Sequence, residues 1–207
     1  SFSMGPVMLE IASKGRFVGE RLQAPFKIGT TPGMPLQGLH DACTVLCNET
    51  GQYITYVTDA FGFNNPPRRY APGELQLALI GDSYVAGHCM PRENTIVGEL
   101  RDHFPRTIGA GSMGNGPLLE LGLLREYISA LQPEHVLWVY YENDLEDLDI
   151  ERRFPLLMRY LDPSFSQQLV ERKDRVAETL GGALDTRLKA QLEWEEGRGR
   201  TPSVTFA

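Results

Sequence analysis

Three short apolar runs alternate with two longer stretches of helical spacing, and that alternation restricts the chain more than any other feature. The runs are Leu75 to Ile80, Thr107-Ile108 and Val136 to Tyr141, all far below the roughly 18 apolar residues of a membrane span. Between them, Thr95 to Phe104 and Pro117 to Leu131 read as helices. Pro117 suits a first helical turn, where its missing N–H costs nothing, and Leu118, Leu121, Leu124 and Ile128 then share one face. A strand, helix, strand, helix, strand order needs crossover connections, so the strands are expected to lie parallel with the helices packed on them. The spacing predicts an α/β fold.

The rest of the chain divides around that unit. Residues 1 to 41 show no clear period apart from a short helix expected over Met8 to Leu22. Cys43 to Thr58 reads as two strands joined by a turn at Asn48-Glu49-Thr50-Gly51, a β-hairpin. Breakers then cluster at Asn64-Asn65-Pro66-Pro67 and Pro72-Gly73, which sets the expected division: an N-terminal segment, 1–72, carrying the hairpin as a small appendage, and an α/β domain, 73–207. Beyond residue 150 only helical signals occur. Phe165, Leu169, Val176 and Leu180 share a stripe that Gly181-Gly182 should end, and Leu184 to Glu196 suggests one more helix.

Composition removes several classes of function. The 207 residues carry a net charge of −7 with 42% hydrophobic and 23% charged residues, which suits a globular chain and gives no basic footprint for nucleic acid. No membrane span is expected. Three cysteines, Cys43, Cys47 and Cys89, match neither a disulfide framework nor a zinc site, so they are expected as plain thiols. The opening Ser1-Phe2-Ser3-Met4 has no signal-peptide character, and the sequence leaves cytoplasm and cell envelope both open.

In a parallel sheet, ligands bind where strands give way to loops at their carboxyl ends. After the first run comes Gly81-Asp82-Ser83-Tyr84-Val85-Ala86-Gly87, after the second Gly109-Ala110-Gly111-Ser112-Met113-Gly114-Asn115-Gly116, and after the third Glu142-Asn143-Asp144-Leu145. A serine on a tight turn can present its hydroxyl, glycines let backbone N–H groups approach a substrate, and an asparagine amide can donate to a developing oxyanion. Asp82, Asp144 and Asp59 read as turn and cap formers.

With these residues the chain resembles the SGNH hydrolases, the GDSL family of esterases, lipases and carbohydrate O-acyl hydrolases. The likeness rests on Gly81-Asp82-Ser83, the glycine turn around Gly114, and Asn143-Asp144, with Tyr141 where the family has glycine. Upstream, Asp59-Ala60-Phe61-Gly62-Phe63-Asn64 looks like a stretch common in bacterial members, and Gly114-Asn115-Gly116-Pro117-Leu118 and Trp138 to Leu145 look like a subgroup linked to surface polysaccharide modification. The resemblance implies a flavodoxin-like three-layer sandwich, Ser83 as nucleophile, and an oxyanion hole from the Ser83 N–H, the Gly114 N–H and the Asn143 side chain. Gly111 and Gly116 stay open as alternatives to Gly114. It implies a carboxylic ester, small or carried on a carbohydrate, as substrate, and no cofactor or metal. Hydrolysis and transfer of the acyl group to a sugar hydroxyl use the same serine, so an O-acyltransferase is the alternative.

The family's late Asp-x-x-His block has no counterpart. His40, His88, His103 and His135 all precede Asn143, and only His88 lies near Ser83 in sequence. Three strands are evident where a doubly wound sheet has about five, so the domain is expected to be incomplete at its C-terminus. Three rival readings compete with this one. In a non-catalytic module, Tyr53, Tyr56, Phe61 and Phe63 would hold a glycan or partner, although aromatics there more often pack a hairpin onto its body. Gly109 to Gly114 fits G-x-G-x-x-G, but it follows the second strand and lacks an acid about 20 residues on. In the third, the acidic run Glu142, Asp144, Glu146, Asp147 and Asp149 would bind a cation, although it lacks a ligand cluster and reads as a solvated loop.

Overall fold

The computed structural model describes residues 27–28, 31–47 and 54–182. The helix expected over Met8 to Leu22, the hairpin turn, Tyr53 and the helix expected from Leu184 lie outside the described residues. Two antiparallel pairs come first: β1 (Lys27–Ile28) with β2 (Thr31–Pro32), and β3 (Cys43–Cys47) with β4 (Ile54–Val57). The second pair is the expected hairpin, with a register shift between Val45 and Cys47. The first was not legible, because two residues a strand leave no alternation to read.

A parallel sheet of three strands follows, in the order β6-β5-β7. Its strands are β5 (Leu77–Gly81), β6 (Thr107–Gly111) and β7 (His135–Trp138). The helices are α1 (Ser83–Ala86), α2 (Ile96–His103), α3 (Pro117–Leu123), α4 (Asp144–Glu151) and α5 (Pro155–Met158), with residues 173–182 forming α6. The chain is therefore α/β. Thr95 starts α2 by accepting the Gly98 N–H at 2.9 Å on its hydroxyl, and α3 passes into a π turn over Leu124–Ile128 and a 3₁₀ turn over Ser129–Leu131.

Successive side chains of β5 point to opposite faces of the sheet. Leu77 and Leu79 pack with Val85 and Val97, while Ala78 and Ile80 join Ile108, Ala110 and the α3 residues Leu118, Leu119 and Leu123. Ile28, Met34, Leu36 and Phe63 belong to that second cluster, so the N-terminal stretch contributes to the core around β5 and β6. Hydrogen bonds hold it there. The Gln167 amide accepts from the Met34 N–H at 2.7 Å and donates to the Met34 carbonyl at 3.2 Å, as a neighbouring strand would.

The two edges of the parallel sheet are treated differently. Beside β6, the buried Asn65 amide donates to the Gly109 carbonyl at 2.9 Å and accepts the Gly109 N–H at 2.8 Å, which satisfies the free edge with a side chain. Beside β7 nothing comparable is present among the described residues. Val136, Leu137 and Trp138 are 41%, 43% and 45% exposed, and they alternate, so both faces of this edge strand are open. Leu145 and Ile150 of α4 are exposed apolar residues as well.

Several expectations change. The second strand runs through Gly109, Ala110 and Gly111, which had been assigned to a loop: a Cβ on Gly111 would come 2.6 Å from the Ala86 nitrogen, so glycine is there to let α1 sit on the strand. From Asp144 on the acidic run forms helix α4 rather than a loop; Glu142, Glu146 and Asp149 are exposed as expected, but Asp144 is buried. Helix α6 runs to Gly181 and Gly182, the last of the described residues. Cys43 is a free thiol as expected, but Cys89 is disulfide-bonded, a pairing that depends on closeness in space and not on spacing along the chain.

Candidate active site

Because β5, β6 and β7 are parallel, the loops that follow them meet at one edge of the sheet. Ser83, Gly114 and Asn143 all lie in or directly after those loops. Ser83 opens α1 immediately after β5. Asp82 caps the turn, its Oδ1 accepting the Tyr84 N–H at 2.9 Å, and the Ser83 hydroxyl donates to Asp82 Oδ2 at a long 3.4 Å. Gly87 then ends the turn in the left-handed region and the His88 N–H returns to the Ser83 carbonyl at 3.0 Å. The side chain of Ser83 is left half-buried.

Gly114 has φ +67, in the left-handed region that favours glycine, and is three residues past the end of β6. The next residue, Asn115, is fully buried, yet neither polar atom of its side chain has a hydrogen-bond partner among the described residues. Sequence reading passed over it, because burial of an amide is invisible in a string of glycines. Glu151 fixes the far side of this loop: its Oε1 accepts the Gly116 N–H at 2.7 Å and its Oε2 the Leu118 N–H at 2.8 Å.

Asn143 caps α4, its carbonyl accepting the Glu146 and Asp147 N–H groups. One N–H of its side chain donates to Asp147 Oδ2 at 2.8 Å, which orients the amide and leaves the second N–H to donate elsewhere. Asp144 Oδ2 accepts the Tyr141 N–H at 2.8 Å, so Asp82, Asp144 and, through the Phe61 and Phe63 N–H groups, Asp59 are the turn and cap formers expected. Tyr84 beside Ser83 and Tyr141 beside Asn143 have ring centroids 4.7 Å apart. The adjacent Tyr84 phenol holds the Tyr141 phenol above the ordinary tyrosine range. This contact ties the serine turn to the asparagine loop.

Carboxyl groups gather near these loops. Burial pushes the Glu120 carboxyl up to about 8, against a hydrogen bond from Trp138 Nε1 and with the nearby Asp144, Asp82 and Glu151 adding to the rise. Burial likewise raises Glu151 to about 7, and moves Asp147 upward. No group of three or more metal-ligating side chains occurs among the described residues.

No histidine is placed as a partner of Ser83 among the described residues. His135 begins β7, at the opposite end of the sheet, and His103 ends α2, while His40 faces Asp41 and Asp174. His88 is nearest in sequence, with Nε2 3.3 Å from the Cys89 sulfur. A scan against known protein families matches no family model, and neither curated proteins nor solved structures give a significant match.

Proposed function

We propose that the chain carries a serine-dependent acyl-ester hydrolase site of the SGNH type on a flavodoxin-like framework. The observation that supports it is the meeting of the Ser83 turn, the Gly114 loop and the Asn143 cap at the carboxyl edge of three adjacent parallel strands. In this reading the Ser83 oxygen attacks the ester carbonyl carbon and its proton passes to a base outside the described residues. The N–H groups of Ser83 and Gly114 and the unused Asn143 N–H stabilise the oxyanion. Collapse breaks the bond to the alcohol, which leaves with that proton, and water then releases the acid and restores Ser83.

The substrate class is a carboxylic ester, with an O-acyl group on a carbohydrate as the proposed form. If water is excluded while a sugar hydroxyl is admitted, the same acyl-serine serves transfer instead. A non-catalytic reading is favoured by one observation, the Ser83 hydroxyl having, among the described residues, only the long contact to Asp82.

The test is intact mass after exposure to a fluorophosphonate, which reacts with an activated serine hydroxyl. A single adduct on the chain and none on Ser83→Ala is the expected result. No adduct on the chain, or an adduct that survives in Ser83→Ala, would refute the assignment of Ser83 as an activated nucleophile.

A further inference from the structure

Lined by none of Ser83, Gly114 or Asn143, and reaching Ile108 of β6, a cavity of about 240 Å³ opens between the turn at Phe61, the Arg68 to Tyr70 loop, Leu131 and the start of α6. Its walls are apolar: Phe61, Ile108, Leu131 and Val170 line it, together with the Tyr70 ring. Three cations surround it, Arg68, Arg69 and Lys173. In a chain of net charge −7, none of the three forms an ion pair among the described residues, whose ion pairs involve His40, Arg106 and Arg152 instead.

The one acid on the wall does not neutralise them. Asp59 Oδ1 accepts the Phe61 and Phe63 N–H groups, each at 2.9 Å, and its Oδ2 accepts from Asn65 Nδ2 at 2.8 Å, so its oxygens are committed to holding the turn. Arg68 is already stationed with its guanidinium 4.9 Å from the Tyr70 ring centroid, which keeps that cation at the rim. An apolar floor under a cluster of unpaired cations is complementary to a molecule with a charged head and an apolar body.

The volume lies just below the roughly 300–1,000 Å³ of pockets for drug-sized ligands. At roughly 30 Å³ for each water- or methylene-sized group, it takes about eight of them. The geometry points to a binding site for a small amphiphilic carboxylate, its head held by Arg68, Arg69 and Lys173 and its short alkyl body on Phe61, Ile108, Leu131 and Val170. Guanidinium groups match the planar carboxylate in pairs of charge-assisted hydrogen bonds, which a neutral alcohol of the same length cannot accept in that form. This site stands apart from the Ser83 reading and does not require it.

The test is a calorimetric titration of the chain with octanoate, alongside 1-octanol and acetate, repeated on Ser83→Ala. Saturable binding of octanoate at one site is expected, unchanged in Ser83→Ala, with octanol and acetate each weaker by about tenfold or more. The double variant Arg69→Ala, Lys173→Ala should weaken octanoate by at least about tenfold. Val170→Trp, which fills the cavity from a partly exposed wall position, should abolish binding while the circular dichroism spectrum stays unchanged. Lack of saturable binding, equal affinity for octanoate and octanol, or an unaffected double variant would each overturn the proposal. The comparison of ligands on the unaltered chain decides the matter even if a variant fails to fold.

Discussion

Glu120 is fully buried on α3, and its behaviour gives the sharpest quantitative expectation. Trp138 Nε1 donates to its Oε2 at 2.6 Å, while Oε1 has no hydrogen-bond partner among the described residues. The folded state holds its proton up to about pH 8, whereas an unfolded glutamate loses it near 4.5. Between those limits the unfolded chain binds fewer protons than the folded one, so the contribution of Glu120 to stability falls as pH rises. It is undiminished below about 4.5 and lost by about 8. At about 1.4 kcal/mol per pKa unit, the loss across the window is roughly 3–5 kcal/mol.

Glu120→Gln keeps the acceptor for Trp138 and removes the titration. Urea unfolding of both proteins at several pH values should therefore give curves that run together in acid and separate on the alkaline side, the variant being more stable by roughly 3–5 kcal/mol at about pH 8. Glu151, raised to about 7 by its own burial, adds a slope of the same sign, but it is common to both proteins and cancels in the difference. Parallel curves across the whole range would refute the argument. So would a variant that is less stable at high pH, since that would mean the charged carboxylate contributes more through its partners than burial costs.

Two further outcomes follow from the same physics. Glu126 is buried and accepts from the Tyr160 hydroxyl, the Ser166 hydroxyl and the Gln167 and Leu169 N–H groups, so Glu126→Ala leaves two buried backbone donors unmatched. Its unfolding free energy should drop by about 3–5 kcal/mol in a urea titration, and a loss under about 1 kcal/mol would show that the network is not intact in solution. The bare β7 edge should make the chain self-associate at high concentration, because an exposed apolar strand offers unpaired N–H and C=O groups to another copy. Leu137→Lys should reduce that association in sedimentation velocity, and an unchanged distribution would place the contact elsewhere.

Periodicity and breaker residues were enough to determine the α/β order, the parallel relation of the three strands and the hairpin, since these depend on which residues repeat every two or every three to four positions. The Gly-Asp-Ser, glycine-turn and Asn-Asp segments were legible for the same reason: loops after parallel strands must share an edge. Other features depended on contacts between residues far apart in the chain. Asn65 sealing the β6 edge, Glu151 gripping the loop after Gly114, and Gln167 pairing with the Met34 backbone join positions 44, 35 and 133 residues apart, and no local pattern encodes such pairs. Burial of Glu120, Asn115 and Asp144 is likewise a tertiary property. A carboxyl or amide reads as solvent-facing from its type alone, and only the packing of α3 on the sheet and of α4 on α3 removes it from water and so alters its chemistry.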